Sequence, residues 1–433
     1  MLQSVFVERV VRMKTFPLDE GRLLEDISGL LRIKSVTGDC GPVTAQAPLG
    51  QGIYDAVEYL LSLGKSYGMR GKNLDGYCGW LEIGEGERMV AVLAHVDTVS
   101  VTPDGWEADP FDGTVIDGKL YGRGSLDNKG PAVVTLHAMK AILESGVKLD
   151  KRIRLIFGGD EEMGAWRCME RYRQTEELPC CAFAPDVVYP VTYAEKGIMR
   201  VCISRQLDGV APVMELQAGT LPNIVPDYAK AQIGGEVYEA TGKPAHAMEP
   251  HKGDNAIVKL CRALDQKGLR HPFIQMCCIA DRDGFGIAFS DEGSGELTIN
   301  PSLATVDSAH AELTCDVRIP VTITSEQVVE AISRQVEPFG FTVERTFWRK
   351  PLYISTDSPL VKTLQAVYLD CTGDSRPPVS TGGITFARAF ENAVAFGALF
   401  PDDPVTYHKT NEFWKVDSIK RNFQIISNAL LAL

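Results

Sequence analysis

At 433 residues the chain exceeds what one ordinary hydrophobic core serves, so two domains are expected. Its 45% hydrophobic and 23% charged residues are ordinary globular composition, and no apolar run of about 18 residues argues for a transmembrane helix. The net charge of −13 weighs against nucleic acid or an anionic membrane as a partner.

Residues 1–14 mix charges among apolar positions, which argues against a secretory signal. The 11 cysteines are scattered, with adjacent pairs at Cys180–Cys181 and Cys277–Cys278 and no CxxC, so a reducing cytoplasm is expected. Residues 19–31 carry Leu23, Leu24, Ile27, Leu30 and Leu31 at helical spacing, and a second helix is expected over 52–67. The apolar run 89–94 reads as a strand buried on both faces, ending at His95. A short strand at 119–121 leads into a glycine-framed turn around Asp127, and Pro131 then opens a helix to 143. Residues 152–157 form another buried strand, which ends at two glycines and the triplet Asp160, Glu161, Glu162. Buried strands alternating with helices predict an α/β domain on a mostly parallel sheet. Ligands of such sheets bind beyond the carboxyl ends of the strands, where His95 and Glu162 both fall.

From about residue 195 the pattern becomes strand–strand–helix, so 195–352 reads as an inserted α+β domain between catalytic segments 1–194 and 353–433. Thr324 and Gln327 form a capping box for a helix over 325–336. Segments 223–233 and 304–314 look alike and suggest an internal duplication. A helix at 359–368 returns to the first texture, Thr381-Gly382-Gly383 opens another helix, and 392–397 is a buried strand before a loop carrying His408.

Three polar clusters bear the chemistry: His95 with Asp97, Asp127 in its turn, and the acidic triplet. A two-metal hydrolytic site needs a bridging carboxylate, an imidazole or carboxylate for each ion, a carboxylate that accepts a proton from water, and a group that orients the histidine. Asp127 can bridge, Asp97 lies two residues from His95, and Asp186 and His408 complete the set. Glu161 and Glu162 are adjacent, so their side chains diverge and one can ligate while the other acts as base. Each residue alone has a plainer explanation. A histidine at a strand end is more often structural, and an acidic triplet is usually a solvated loop. His137, His251, His271 and His310 have no comparable setting and are read as structural or surface residues. No Walker loop, GxSxG elbow or HExxH is present.

Taken together, segments 93–99 (LAHVDTV), 121–131, 160–164 (DEEMG), 185–186 and 407–412 (YHKTNE) resemble the co-catalytic zinc metallopeptidases that include aminoacylase, carboxypeptidase G and peptidase T, and most of all the PepV-type, carnosinase-like dipeptidases. The likeness covers nearly the whole chain. It implies a three-layer catalytic domain with an inserted lid, and two divalent ions, zinc foremost with manganese or cobalt possible. Asp127 would bridge, with a cis peptide to Asn128. His95 and Asp186 would hold one ion, and Glu162 and His408 the other. Glu161 would be the general base and Asp97 the orienting group. Within 242–247 (GKPAHA), His246 would polarise the scissile carbonyl. Asn223, Arg318 and the backbone of Thr381, Gly382 and Gly383 would hold substrate. The implied protein is a cytoplasmic dipeptidase acting on small peptides, working as a monomer with His246 supplied by the same chain, a dimer being the alternative. An N-acyl amino acid deacylase or other amidohydrolase on the same site is the nearest rival reading, and a metal-dependent binding protein the more distant one. The loop 400–404 (FPDDP) departs from the commoner glycine-rich pattern of relatives, which bears on substrate preference.

Overall fold

The computed structural model describes residues 13–102, 104–210 and 212–433. Residues 1–12, on which most of the argument against a secretory signal rests, lie outside the described residues. The chain divides into two compact units. The first runs to Tyr193 and resumes over Ile354–Val379 and Thr385–Leu433; the second comprises Ala194–Tyr353 and Ser380–Ile384. Among the described residues no helix is long and apolar enough to cross a membrane.

The first unit is a three-layer α/β arrangement. Its strands lie in the order Arg70–Leu74, Cys78–Gly84, Arg152–Gly158, Met89–His95, Cys181–Ala184, Ala393–Phe396, Val191–Glu195. The middle four are parallel and the flanking pairs antiparallel. All seven residues of Met89–His95 are buried, as an apolar run covered on both faces requires. The helix Gln51–Ser66 packs on Cys78–Gly84, and Lys129–Glu144 packs on Met89–His95. The latter helix begins two residues before Pro131. N–H groups of a first helical turn lack intrahelical partners, so a proline in third place costs no hydrogen bond.

A buried polar cluster ties that helix to Glu20–Leu31. Asp26 accepts from Tyr67 Oη at 2.6 Å and contacts His137 Nε2 at 2.8 Å and Arg22 Nη2 at 2.9 Å. Burial works against the charged form of Asp26, but hydrogen bonds from His137 and Tyr67 outweigh it and hold the carboxyl below its ordinary value. A depressed carboxyl contributes stability above the unfolded-state value of about 4 and loses it as pH falls through the folded one. Replacing His137 by Ala removes one partner from a buried carboxylate. It is expected to cost roughly 3 kcal/mol in urea unfolding at neutral pH. A change within about 0.5 kcal/mol, as at an ordinary surface position, would show the cluster to be energetically idle.

The second unit holds a seven-stranded, wholly antiparallel sheet in the order Glu236–Thr241, Tyr228–Ile233, Met214–Ala218, Thr298–Val306, His310–Ile319, Gly197–Gln206, Thr342–Arg349. Its apolar face, including Met199, Val201, Leu313 and Val317, packs with Leu260 and Leu264 of Ala256–Gln266 and Val328 and Ile332 of Ser325–Val336. The Thr324–Gln327 capping box forms as expected. The two look-alike segments feed Tyr228–Ile233 and His310–Ile319, separate strands of this one sheet with Met214–Ala218 and Thr298–Val306 between them. Thr381-Gly382-Gly383 does not open a helix. It ends the strand Val379–Thr381, and only a short 3₁₀ turn, Phe386–Ala389, follows where Thr385 accepts from Ala387 N. Two successive glycines disfavour helix nucleation, and the pattern over 381–389 lacks a long apolar face.

Candidate metal and catalytic centre

The site lies entirely within the first unit, beyond the carboxyl ends of the parallel strands. His95 is the last residue of Met89–His95 and pairs in register with Gly158, the last residue of the neighbouring strand. Glu161 and Glu162 follow that neighbour by a few residues, and Pro185–Asp186 follow Cys181–Ala184. One direction of sheet travel therefore delivers three of the clusters to one edge.

Asp127 is placed by its loop. Gly124 takes φ +87°, a conformation that disfavours a side chain, and a Cβ on Gly130 would lie 1.9 Å from Ser125 O. The peptide between Asp127 and Asn128 is cis. Glu412 reaches into this loop, accepting from Gly124 N at 3.1 Å, Leu126 N at 3.0 Å and Asp127 N at 3.3 Å, and pairing with Arg123 Nη1 at 2.5 Å. Asn128 Nδ2 donates to Pro185 O at 2.7 Å and Asp186 Oδ1 at 2.9 Å. The loop is thus fixed to the segments that carry Asp186 and His408.

The resulting geometry is two-sided about Asp127. Its Oδ1 lies 2.9 Å from His95 Nε2 and its Oδ2 lies 3.0 Å from His408 Nε2. Asp186 Oδ1 flanks His95 Nε2 at 3.7 Å, and Glu162 Oε1 flanks His408 Nε2 at 3.2 Å. His95 Nδ1 lies 2.9 Å from the backbone oxygen of Asp97 and 3.5 Å from its Oδ1. A proton on Nδ1 bonded there leaves Nε2 with its lone pair toward Asp127. Asp97 Oδ2 accepts from Glu162 N at 3.0 Å and Thr37 Oγ1 at 3.3 Å, so this carboxylate also fixes the acidic turn.

The acidic triplet separates into two kinds of residue. Asp160, at φ 75°, accepts from Arg167 N and Nε and so anchors the turn into the following helix. Glu162 faces His408. Glu161 is buried, and its Oε1 has no hydrogen-bond partner among the described residues. Burial raises Glu161 well above its ordinary value, and burial likewise raises Glu162 and Asp186, in each case partly offset by a nearby histidine. Burial disfavours charged His95 and His408, but the surrounding carboxylates outweigh it and hold both imidazoles above their usual range. Burial also opposes ionisation of Asp127, and His408 and His95 overcome it, so its carboxyl lies below the usual range.

Four carboxylates around two imidazoles leave a negative excess that cations would neutralise. Ligand atoms of His95, Asp127 and Glu162 all lie within 4.8 Å of one another, so donors from both sides of Asp127 gather in one small space. Nitrogen and carboxylate donors, with buried oxygens of Glu161 and Asp97 lacking a hydrogen-bond partner among the described residues, fit divalent metal ions.

The remaining expected residues gather within the second unit. Asn223 O accepts from Ala247 N at 2.8 Å, and Ile224 bridges antiparallel to His246, so Asn223 and His246 sit on paired loops. Arg318 is buried and pairs with Asp316 through Nε at 2.6 Å, while its Nη1 donates to Gly382 O at 2.8 Å. A Cβ on Gly382 would lie 3.0 Å from Met248 Cβ, two residues from His246, and Gly383 N donates to Thr381 Oγ1 at 3.0 Å. Glu412, Asn128 and Arg123 are the positioning residues that residue-by-residue reading did not single out. The only sequence signal for them is their membership of motifs whose other members carry the obvious chemistry.

The comparisons with known proteins accord with this arrangement. Residues 91–432 match the model of peptidase family M20/M25/M40. The chain is 35% identical over 456 residues to "Putative dipeptidase YtjP" of Bacillus subtilis (strain 168), covering 95% of this chain and 97% of that protein. It is 32% identical to a "Putative dipeptidase" of Staphylococcus epidermidis, covering 96% and 97%. Human carnosine dipeptidase 1 has a similar fold, with a TM-score of 0.62 at 14% identity over 96% of this chain and 99% of that one. Aminoacylhistidine dipeptidase from Vibrio alginolyticus gives 0.61 at 13% identity over 96% and 97%.

Proposed function

Because the chain belongs to peptidase family M20/M25/M40, we propose that it is a metal-dependent dipeptidase whose centre holds two divalent ions about Asp127. The observation that carries this reading is the two-sided environment of that carboxylate, with one oxygen facing His95 and Asp186 and the other facing His408 and Glu162. In the proposed assignment those four residues are the terminal ligands. Zinc suits the donors best, and manganese or cobalt would also suit imidazole and carboxylate.

The ions, when bound, supply Lewis acidity toward water and the amide carbonyl. The residues then divide the remaining work. Glu161, whose carboxyl burial holds above its ordinary value, takes a proton from the attacking water. The water oxygen bonds to the carbonyl carbon, the C–N bond breaks, and Glu161 returns the proton to the departing amine. Asp97 holds His95 and the acidic turn in place. His246 donates a hydrogen bond to the substrate oxygen as charge develops on it. Asn223 and the backbone at Thr381, Gly382 and Gly383 align the peptide. Arg318 binds its terminal carboxylate through the guanidinium edge left by Asp316. The reading extends to a cytoplasmic monomer acting on small peptides; all 11 cysteines are free, which supports a reducing compartment.

The deciding experiment is hydrolysis of a dipeptide panel set beside N-acyl amino acids, with and without a chelator. Metal-dependent turnover of dipeptides with little deacylation is expected; the reverse ranking would establish the deacylase instead. Arg318→Ala is expected to raise KM for free dipeptides by roughly tenfold or more, the scale of a lost charged hydrogen bond, and to leave C-terminally amidated dipeptides nearly unchanged. Equal changes for both would remove Arg318 from carboxylate recognition.

A further inference from the structure

The amino end of the strand Cys181–Ala184, opposite the end that leads to Asp186, borders a small cavity of about 160 Å³. Its lining is Arg88, Cys180, Cys181, Pro359, Leu360 and Asn392, all in the first unit. Cys180 is the one exposed cysteine of the 11; the others are buried or half-buried. Its backbone is held on both sides, with Cys180 N donating to Met89 O at 2.8 Å and Asn392 Nδ2 donating to Cys180 O at 2.8 Å. The cavity is also bordered by Pro359 and Leu360, the first two residues of the 14-residue helix Pro359–Thr372, whose amino end carries partial positive charge.

From these features we propose that Cys180 is a thiol-modification site that forms mixed disulfides with anionic low-molecular-weight disulfides. In the step, the Cys180 sulfur attacks one sulfur of the incoming disulfide. A new S–S bond forms as the old one breaks, and the departing thiolate takes a proton from water, so no oxidant beyond the disulfide is consumed. Arg88, which lines the cavity, supplies positive charge toward the incoming anion; behind it lie Lys151, which burial lowers to about 8, and Asp150 as the opposing charge. Arg88 also donates to Leu433 O at 2.8 Å, and Lys151 to Leu431 O at 3.1 Å, which fixes both cations at the base of the sheet. Pro359, Leu360 and Asn392 bring no charged side chain.

The electrostatics favour this sulfur over its competitors. A hydrogen bond from Cys181 and the charge and hydrogen bond of Arg88 outweigh burial and hold Cys180 below the ordinary thiol range. The hydrogen bond to Cys180 and its own burial hold Cys181 above that range, so it stays a thiol and does not compete as the nucleophile. Burial also pushes the half-buried Cys40, Cys202, Cys278 and Cys371 up to about 11.

The test is incubation of the full chain with oxidised glutathione, which is anionic, and with cystamine, which is cationic, followed by intact-mass analysis and peptide mapping. One glutathione adduct per chain at Cys180 is expected, absent in Cys180→Ser, with dipeptide hydrolysis by that variant unchanged. The anionic probe should react about tenfold faster than the cationic one. Arg88→Gln should erase most of that preference, and Arg88→Lys should restore it. Between pH 8 and pH 6 the rate should fall less than about threefold, whereas an unperturbed thiol loses well over tenfold of its thiolate. Adducts spread over Cys40, Cys202, Cys278 and Cys371, absence of any adduct, equal rates with both probes, or the pH profile of an ordinary thiol would each overturn the proposal.

Discussion

Glu161→Gln is expected to lower kcat for dipeptides by roughly two to four orders of magnitude, the usual contribution of a positioned general base, while the protein keeps its full complement of metal. The substitution conserves shape and removes only the capacity to accept a proton. No other carboxylate in the described site is free to replace it. Asp127, Asp186 and Glu162 each face a histidine, and Asp97 is committed to Glu162 N and Thr37. Glu161 combines burial with an oxygen lacking a hydrogen-bond partner among the described residues; the other such carboxylate, Asp97, is held through its Oδ2 by Glu162 N and Thr37 Oγ1. The same burial that raises its carboxyl makes the ionised form costly. The amide variant should therefore unfold at a temperature equal to or above that of the parent, a trade of activity against stability. Steady-state kinetics, elemental analysis and thermal unfolding together check this. A kcat reduced by less than about tenfold with metal intact would assign the proton transfer elsewhere.

Asp127→Ala is expected to abolish measurable turnover and to release metal. Each Asp127 oxygen stands about equally close to a different imidazole. Removing the carboxylate therefore strips a donor from both positions at once and leaves two histidines among three carboxylates. Losing a group that merely orients a ligand typically weakens metal binding by about 10–100-fold; loss of the shared carboxylate should exceed that. Equilibrium dialysis against zinc would measure it. Retention of two equivalents at parental affinity would refute the shared-ligand assignment. Asp186→Ala provides the contrast, since it touches only the His95 side and should weaken one equivalent more than the other.

Much of the architecture was legible in the residues because burial leaves a direct imprint on them. The unbroken apolar run ending at His95 could only be a strand covered on both faces, and the Thr324–Gln327 box marked its helix by local hydrogen bonding. Where local patterning was ambiguous, reading failed. The two glycines after Thr381 suggested a turn into a helix, but the chain there follows the second unit instead. Within the site, residue types that bear chemistry stood out, whereas their supports did not. A glutamate whose partners are three backbone N–H groups nearly three hundred residues away has no sequence pattern to betray it. His137, read as structural, is that, and its partner Asp26 was invisible because they meet through helix packing.

The clasp between Glu412 and the Asp127 loop has a consequence for how the protein is made. Asp127 and Glu412 lie 285 residues apart in the chain. Translation at about 5–20 residues per second thus delivers the carboxylate that faces both histidines roughly 15–60 seconds before the glutamate that fixes its backbone. His408 emerges only four residues ahead of Glu412. From residue 186 until residue 408 the nascent chain therefore carries the carboxylates that face Asp127's two sides without the imidazole and the clasp that complete the site. The two-sided surroundings of Asp127 are therefore complete only once residues 408–412 have been made.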